Sequence, residues 1–78
     1  MYNIIMINEN DKRYQEIGEK IKKQRESKGK SISELASEAN VSKAYISLLE
    51  TDKANNPSVK IIKQLANALE MQPTELLK

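Results

Sequence analysis

Apolar side chains recur every three or four positions through most of this chain, the spacing that lines one face of a helix. Over 11–27, Tyr14, Ile17, Ile21 and Arg25 share such a face, which predicts a first helix capped by Asn10 or Asp11. Gly18 weakens its interior slightly, and Gly29 stands just past its end, where a left-handed residue stops a helix at little steric cost. A short second helix opens at Ser31 and ends near Ala39, with Leu35, Ala36 and Ala39 on its buried side. Its start, Ser31-Ile32-Ser33-Glu34, has the form of a capping box. Asn40-Val41 reads as a tight turn, because asparagine tolerates positive φ. Ser42 caps a third helix over 43–51, in which Ile46 and Leu49 face inward.

A polar loop covers 52–57, and Ser58 caps a fourth helix reaching about Glu70. Val59, Ile62, Leu65, Ala66 and Leu69 fall on one side of it. After a break at Met71-Gln72, Pro73 fits the first position of a last short helix carrying Leu76 and Leu77. Residues 1–10 break the pattern: Tyr2, Ile4, Ile5, Met6 and Ile7 favour extended backbone, either as a short strand pairing with a second copy or as a disordered terminus. The expected architecture is all-α, five helices in one domain over 11–78 behind an N-terminal extension.

Composition narrows the chemistry. At 78 residues the core is limited. The absence of cysteine excludes disulfides and thiolate metal sites, and the absence of histidine removes the commonest metal ligand and general base. Glu34 and Glu38 share a helix face, but a carboxylate pair needs a pocket to act as acid and base, and a solvated face is the plainer reading. Neither an enzyme nor a cofactor is expected. No apolar run approaches the ~20 residues of a membrane span, and residues 4–7 are too few for a secretory signal. The expected compartment is the bacterial cytoplasm or nucleoid, with a phage or plasmid origin open. Net charge is +2, unevenly spread: +5 over 12–30 and −3 elsewhere. Such a basic segment is a footprint for phosphate or simply a solvated face.

The informative unit is 31–50, SISELASEANVSKAYISLLE. Two short helices meet at a tight turn, with Ala36 small at their approach and Val41, Ile46 and Leu49 pinning the second onto the first. The outer side of the second helix is left free at a fixed angle, and the major groove admits one such helix.

Together with IGEKIKKQRESKGKS, NPSVKIIKQLANALE and PTELL, in that order, this unit resembles the Cro/CI-type (XRE) helix-turn-helix family, and within it the SinR-like repressors. The resemblance covers about 17–77. It implies a lambda-repressor-like fold and a sequence-specific, double-stranded DNA-binding transcriptional regulator. The implied mode is repression by a homodimer on a palindromic operator, with half-sites about one helical turn apart, ~34 Å. It implies base reading by Lys43 and Ala44, with Ser47 and Leu48 one turn on; Leu48 has a core position as its alternative. Phosphate contacts fall to Ser31 and Ser33 at the second helix start, to Ser42 and Tyr45, and to Thr51, Lys53, Asn55 and Asn56. For Tyr45 partial burial stands as an equal reading. Arg25 and Glu50 are implied to meet as a buried structural ion pair.

Two positions depart from the family pattern. Ile32 stands where many members carry a phosphate-contacting glutamine, and Asn40 where glycine is usual. Dimer contacts are assigned either to Leu76, Leu77 and Met71, whose other role is closing the monomer core, or to residues 2–7. The resemblance also implies a separate antagonist protein. Its members usually continue into a helical multimerisation segment, whereas the sequence stops at Lys78, as a shorter relative or a piece of a longer chain. The rival reading is an antitoxin or other protein-interaction helical module.

Overall fold

Five helices form where capping chemistry and apolar spacing agree: α1 (Lys12–Ser27), α2 (Ile32–Ala39), α3 (Lys43–Glu50), α4 (Val59–Ala68) and α5 (Pro73–Leu77). This is a computed structural model. It describes residues 12–51, 53–54 and 56–77, and the side chains of 12–16 and 77 lie outside that description. The expected extension at 1–10 and the caps Asn10 and Asp11 therefore also lie outside the described residues.

α1 ends in a Schellman motif. Gly29 has φ 67°, its amide donates to the Glu26 carbonyl at 3.0 Å, and the Lys30 amide donates to the Arg25 carbonyl at 3.0 Å. Ser31, Ser42 and Ser58 each cap the following helix through a hydroxyl that accepts an amide proton three residues on. The Ser31 cap is a full capping box, closed by Glu34 Oε1 accepting from the Ser31 amide at 2.8 Å. Asn40 takes the left-handed conformation, φ 57° and ψ 44°, so α3 leaves α2 through the turn expected of it.

α1 packs on α3 and α5, α2 on α3 and α4, and α4 on α5. Ile17, Ile21, Leu35, Ile46, Leu49, Leu65, Leu69 and Leu76 are fully buried between them. Two positions differ from expectation. Val59 is 67% exposed because it opens α4, a turn ahead of Ile62, the first buried residue of that helix. α3 stops at Glu50, with Thr51 as its C-cap. Of the two roles open to Leu76, closure of the monomer core holds, and its full burial withdraws it from the dimer patch.

α4 also stops early, at Ala68, in a second Schellman turn: the Glu70 amide donates to the Asn67 carbonyl and the Met71 amide to the Ala66 carbonyl. Glu70 holds φ 58° there, a conformation that costs a side-chain-bearing residue roughly 1–2 kcal/mol. Its contact with Lys28, 3.2 Å, is exposed and offsets little of that. Glu70→Gly is therefore expected to raise stability by about 1 kcal/mol. A urea melt in which the midpoint fails to rise would contradict the reading of Glu70 as a strained cap.

Candidate nucleic-acid interface

α3 is held from behind at three places. Ile46 and Leu49 are fully buried against the other helices. Gly18 of α1 lies so close to the α3 backbone that a Cβ built there would sit 1.8 Å from the Leu49 carbonyl oxygen. At the C-terminal end, Arg25 forks onto Glu50: Nε donates to Oε2 at 2.8 Å and Nη2 to Oε1 at 2.9 Å. Its third nitrogen, Nη1, donates to the Lys30 carbonyl at 2.7 Å. The Glu50 hydrogen bond raises the Arg25 pKa above the ordinary guanidinium range, against the opposing effect of burial.

With its inner side fixed, α3 turns one stripe outward. Lys43, Ala44, Ser47 and Leu48 are all exposed and are linked by the three- and four-residue offsets that share a helix face. Leu48 is 43% exposed, which removes its core alternative and leaves an apolar side chain on the stripe. Lys43 contributes an exposed cation at the leading end, and the amides of Lys43 and Ala44 have no intrahelical partner. A helix start of this kind favours anions.

The residues expected to meet phosphate are less uniform. Ser42 is exposed; its Oγ accepts from the Tyr45 amide at 3.0 Å, which leaves the hydroxyl proton free to donate outward. Ser31 is alike in its hydroxyl, but its amide is already taken by Glu34, so only the amides of Ile32 and Ser33 remain open at the start of α2. The expected capping box thus has a consequence for phosphate binding: the carboxylate that stabilises α2 occupies part of its anion site. Ser33 is exposed, while Ile32 is half-buried against the core, which accounts for an aliphatic residue at that position. Tyr45 is half-buried and packs on the core. Thr51 turns its hydroxyl back onto the Ser47 carbonyl at 2.8 Å. Lys53 and Asn56 are exposed, and Asn55 lies outside the described residues. The loop is folded under α3, with the Lys53 and Ala54 amides both donating to the Leu48 carbonyl.

Two contributors were not foreseen. Gly18 reads in sequence as a mild helix defect, and its partner is 31 residues away, so no local pattern reveals it. Gln64 of α4 donates through Nε2 to the carbonyls of Ala39 and Asn40 in the turn between α2 and α3. A polar residue inside an otherwise apolar helical run was the signal available for it.

A family model described as helix-turn-helix matches residues 21–76. The HTH-type transcriptional regulator SinR of Bacillus subtilis is 39% identical over 61 residues, which is 78% of this chain and 55% of SinR. SlrR of the same organism is 45% identical over 60 residues, 77% of this chain and 40% of SlrR. The chain thus spans about half the length, or less, of these relatives. Among solved structures, the N-terminal DNA binding domain of SinR from Bacillus subtilis matches with a TM-score of 0.80 and 38% identity, covering 82% of this chain and 93% of that one. SinR in complex with DNA matches at 0.77 and 39%, covering 80% and 98%. The complex of SinR with SinI matches at 0.76 and 39%, covering 80% and 60%.

Proposed function

Because the chain belongs to the XRE-type helix-turn-helix family, we propose that it is a sequence-specific double-stranded DNA-binding transcriptional regulator, a repressor acting as a homodimer. The observation that carries this reading is the outward stripe Lys43, Ala44, Ser47 and Leu48 on a helix whose opposite side is buried. A base-reading helix needs both properties: exposure to reach base edges and rigidity to hold register. Lys43 donates to guanine O6 and N7, Ala44 and Leu48 pack on thymine methyls, and Ser47 reaches a base edge or a water. Ser42, the amides of Ile32 and Ser33, Lys53 and Asn56 contact phosphate and set register without reading sequence. Ser31 joins them through its hydroxyl alone, and Tyr45 through the phenol above its packed ring. Thr51 makes such a contact only by releasing its proton from Ser47.

Repression of this kind works by occluding the operator and requires no catalytic group, and the named relatives are regulators. We therefore assign the chain no enzymatic role. The likeness to SinR in its complex with SinI supports a protein as a second partner, to which we assign the role of antagonist. No helix among the described residues is long and apolar enough to cross a membrane.

Selection of bound duplexes from a random pool, at two salt concentrations, tests the reading. The expected product is a two-fold symmetric motif whose enrichment persists at the higher salt. Lys43→Ala is expected to relax one position in each half-site and weaken binding to the selected duplex by about 1–3 kcal/mol, with little change for random duplex. A pool that returns no motif, with binding that disappears steeply with salt, would leave only phosphate attraction.

A further inference from the structure

We propose that Gln64 is a positioning residue for base reading, a tie from α4 that fixes the direction in which α3 presents Lys43 and Ala44; the proposal rests on the DNA-binding function argued above. Gln64 Nε2 donates to the Ala39 carbonyl at 3.0 Å and to the Asn40 carbonyl at 3.3 Å. Both neighbours are acceptors, so only the amide nitrogen fits there, and the chemistry of the site assigns the orientation of the side chain.

The two carbonyls belong to the end of α2 and to the left-handed Asn40, the residues that set where α3 goes. Carbonyls in the last turn of a helix lack intrahelical partners, so this donor satisfies groups that α2 itself leaves open. α4 is a firm base for the tie. Gln64 is half-buried, and the adjoining Leu65, like Ala66, is fully buried. α2 and α3 therefore do not depend on the turn backbone alone for their mutual angle; a third helix spans the turn and grips it from behind.

The lever is long enough to matter. An eight-residue helix is about 12 Å long at about 1.5 Å per residue, so with its far end held by Arg25 on Glu50 a swing of about 10° about that end moves the leading end, Lys43 and Ala44, by about 2 Å. Binding constellations tolerate about 0.5 Å. Phosphate attraction, which is less directional, survives such a swing; bidentate base contacts do not. The predicted signature is thus a loss of discrimination at nearly constant affinity for random duplex.

Gln64→Met keeps the length and volume of the side chain and removes the donor, and Gln64→Lys restores a donor of similar reach. The duplex selected by the wild-type protein and a random-sequence duplex are titrated with all three proteins at one salt concentration, and each protein's urea midpoint is measured alongside. For Gln64→Met the ratio of the two affinities is expected to fall about fivefold to tenfold. Its random-duplex affinity is expected to stay within about twofold, with recovery of most of the ratio in Gln64→Lys. Faster hydrogen exchange at the Val41 amide, which donates to the Ala36 carbonyl across the turn, should accompany the loss in Gln64→Met without DNA present. An unchanged ratio in Gln64→Met overturns the proposal and leaves the DNA-binding function standing. An unfolded Gln64→Met also overturns it, since the contact would then be a stability element alone. Absence of any preferred duplex for the wild-type protein removes the function first, and the positioning role with it.

Discussion

Gly18→Ala is expected to destabilise the domain by about 2 kcal/mol or more, although it places the best helix former in a helix interior. Propensity alone predicts the opposite sign, a gain of about 1 kcal/mol. The packing opposes it. An alanine Cβ would lie 1.8 Å from the Leu49 carbonyl oxygen and 2.8 Å from its carbon, where ordinary contact begins near 3.4 Å. Both atoms are backbone, so no rotamer change relieves the overlap, and α1 and α3 must part. That opens the layer of Ile17, Ile21, Ile46 and Leu49, all fully buried. Overpacking typically costs about 1–3 kcal/mol and more where nothing can yield, while a single core in a chain this short supplies roughly 3–5 kcal/mol in total. A urea melt should show a markedly lower midpoint at an unchanged slope. A midpoint equal to or above that of the wild-type protein would mean that α1 and α3 do not approach at Gly18.

That opposition of signs marks where the sequence stops being legible. The helix starts were readable because their chemistry is complete within four residues: Ser31 and Glu34 satisfy one another, and Ser42 and Ser58 each accept from an amide three positions on. The Asn40 turn was readable for a similar reason, since few residues tolerate its φ. Glu70 adopts the same conformation with none of that tolerance, because Schellman closure of α4 against the rest of the fold outweighs its local preference. Val59 fitted the α4 stripe by number, but burial on that stripe begins only a turn later, at Ile62.

The exposed stripe of α3 follows from periodicity once Ile46 and Leu49 are taken as inward. Its rigidity does not. Gly18, Gln64 and Arg25 act on α3 or its turn from 24 to 31 residues away. Contacts at that separation leave no periodic trace, and the expectation that Arg25 meets Glu50 came from family resemblance, not from spacing.

Arg25→Met and Glu50→Leu, made singly, are each expected to cost about 3–5 kcal/mol, while the double variant returns to within about 1 kcal/mol of the wild-type protein. The pair is buried, with 11% and 5% of the two side chains exposed. Removing the guanidinium strands the Glu50 carboxylate away from water, and removing the carboxylate strands the cation. Removing both leaves two apolar side chains of similar volume, and the two desolvation penalties vanish together. The Lys30 carbonyl loses its Nη1 donor in the double variant, which sets the residual cost near that of one hydrogen bond. Arg25→Lys should behave like a partial deletion, because a single ammonium cannot reproduce the two-pronged contact with Glu50 and reach Lys30 as well. Losses of that size approach the whole stability of the domain, so urea melts of the four proteins in one fixed concentration of a stabilising osmolyte give the coupling. A double variant no more stable than either single one would show that the guanidinium acts through packing on its stem instead of through charge. If the double variant is stable and still prefers the wild-type duplex, the pair is a brace for α3 that apolar packing can replace. A stable double variant that has lost that preference would instead assign the ion pair to setting the pitch of α3 in the groove.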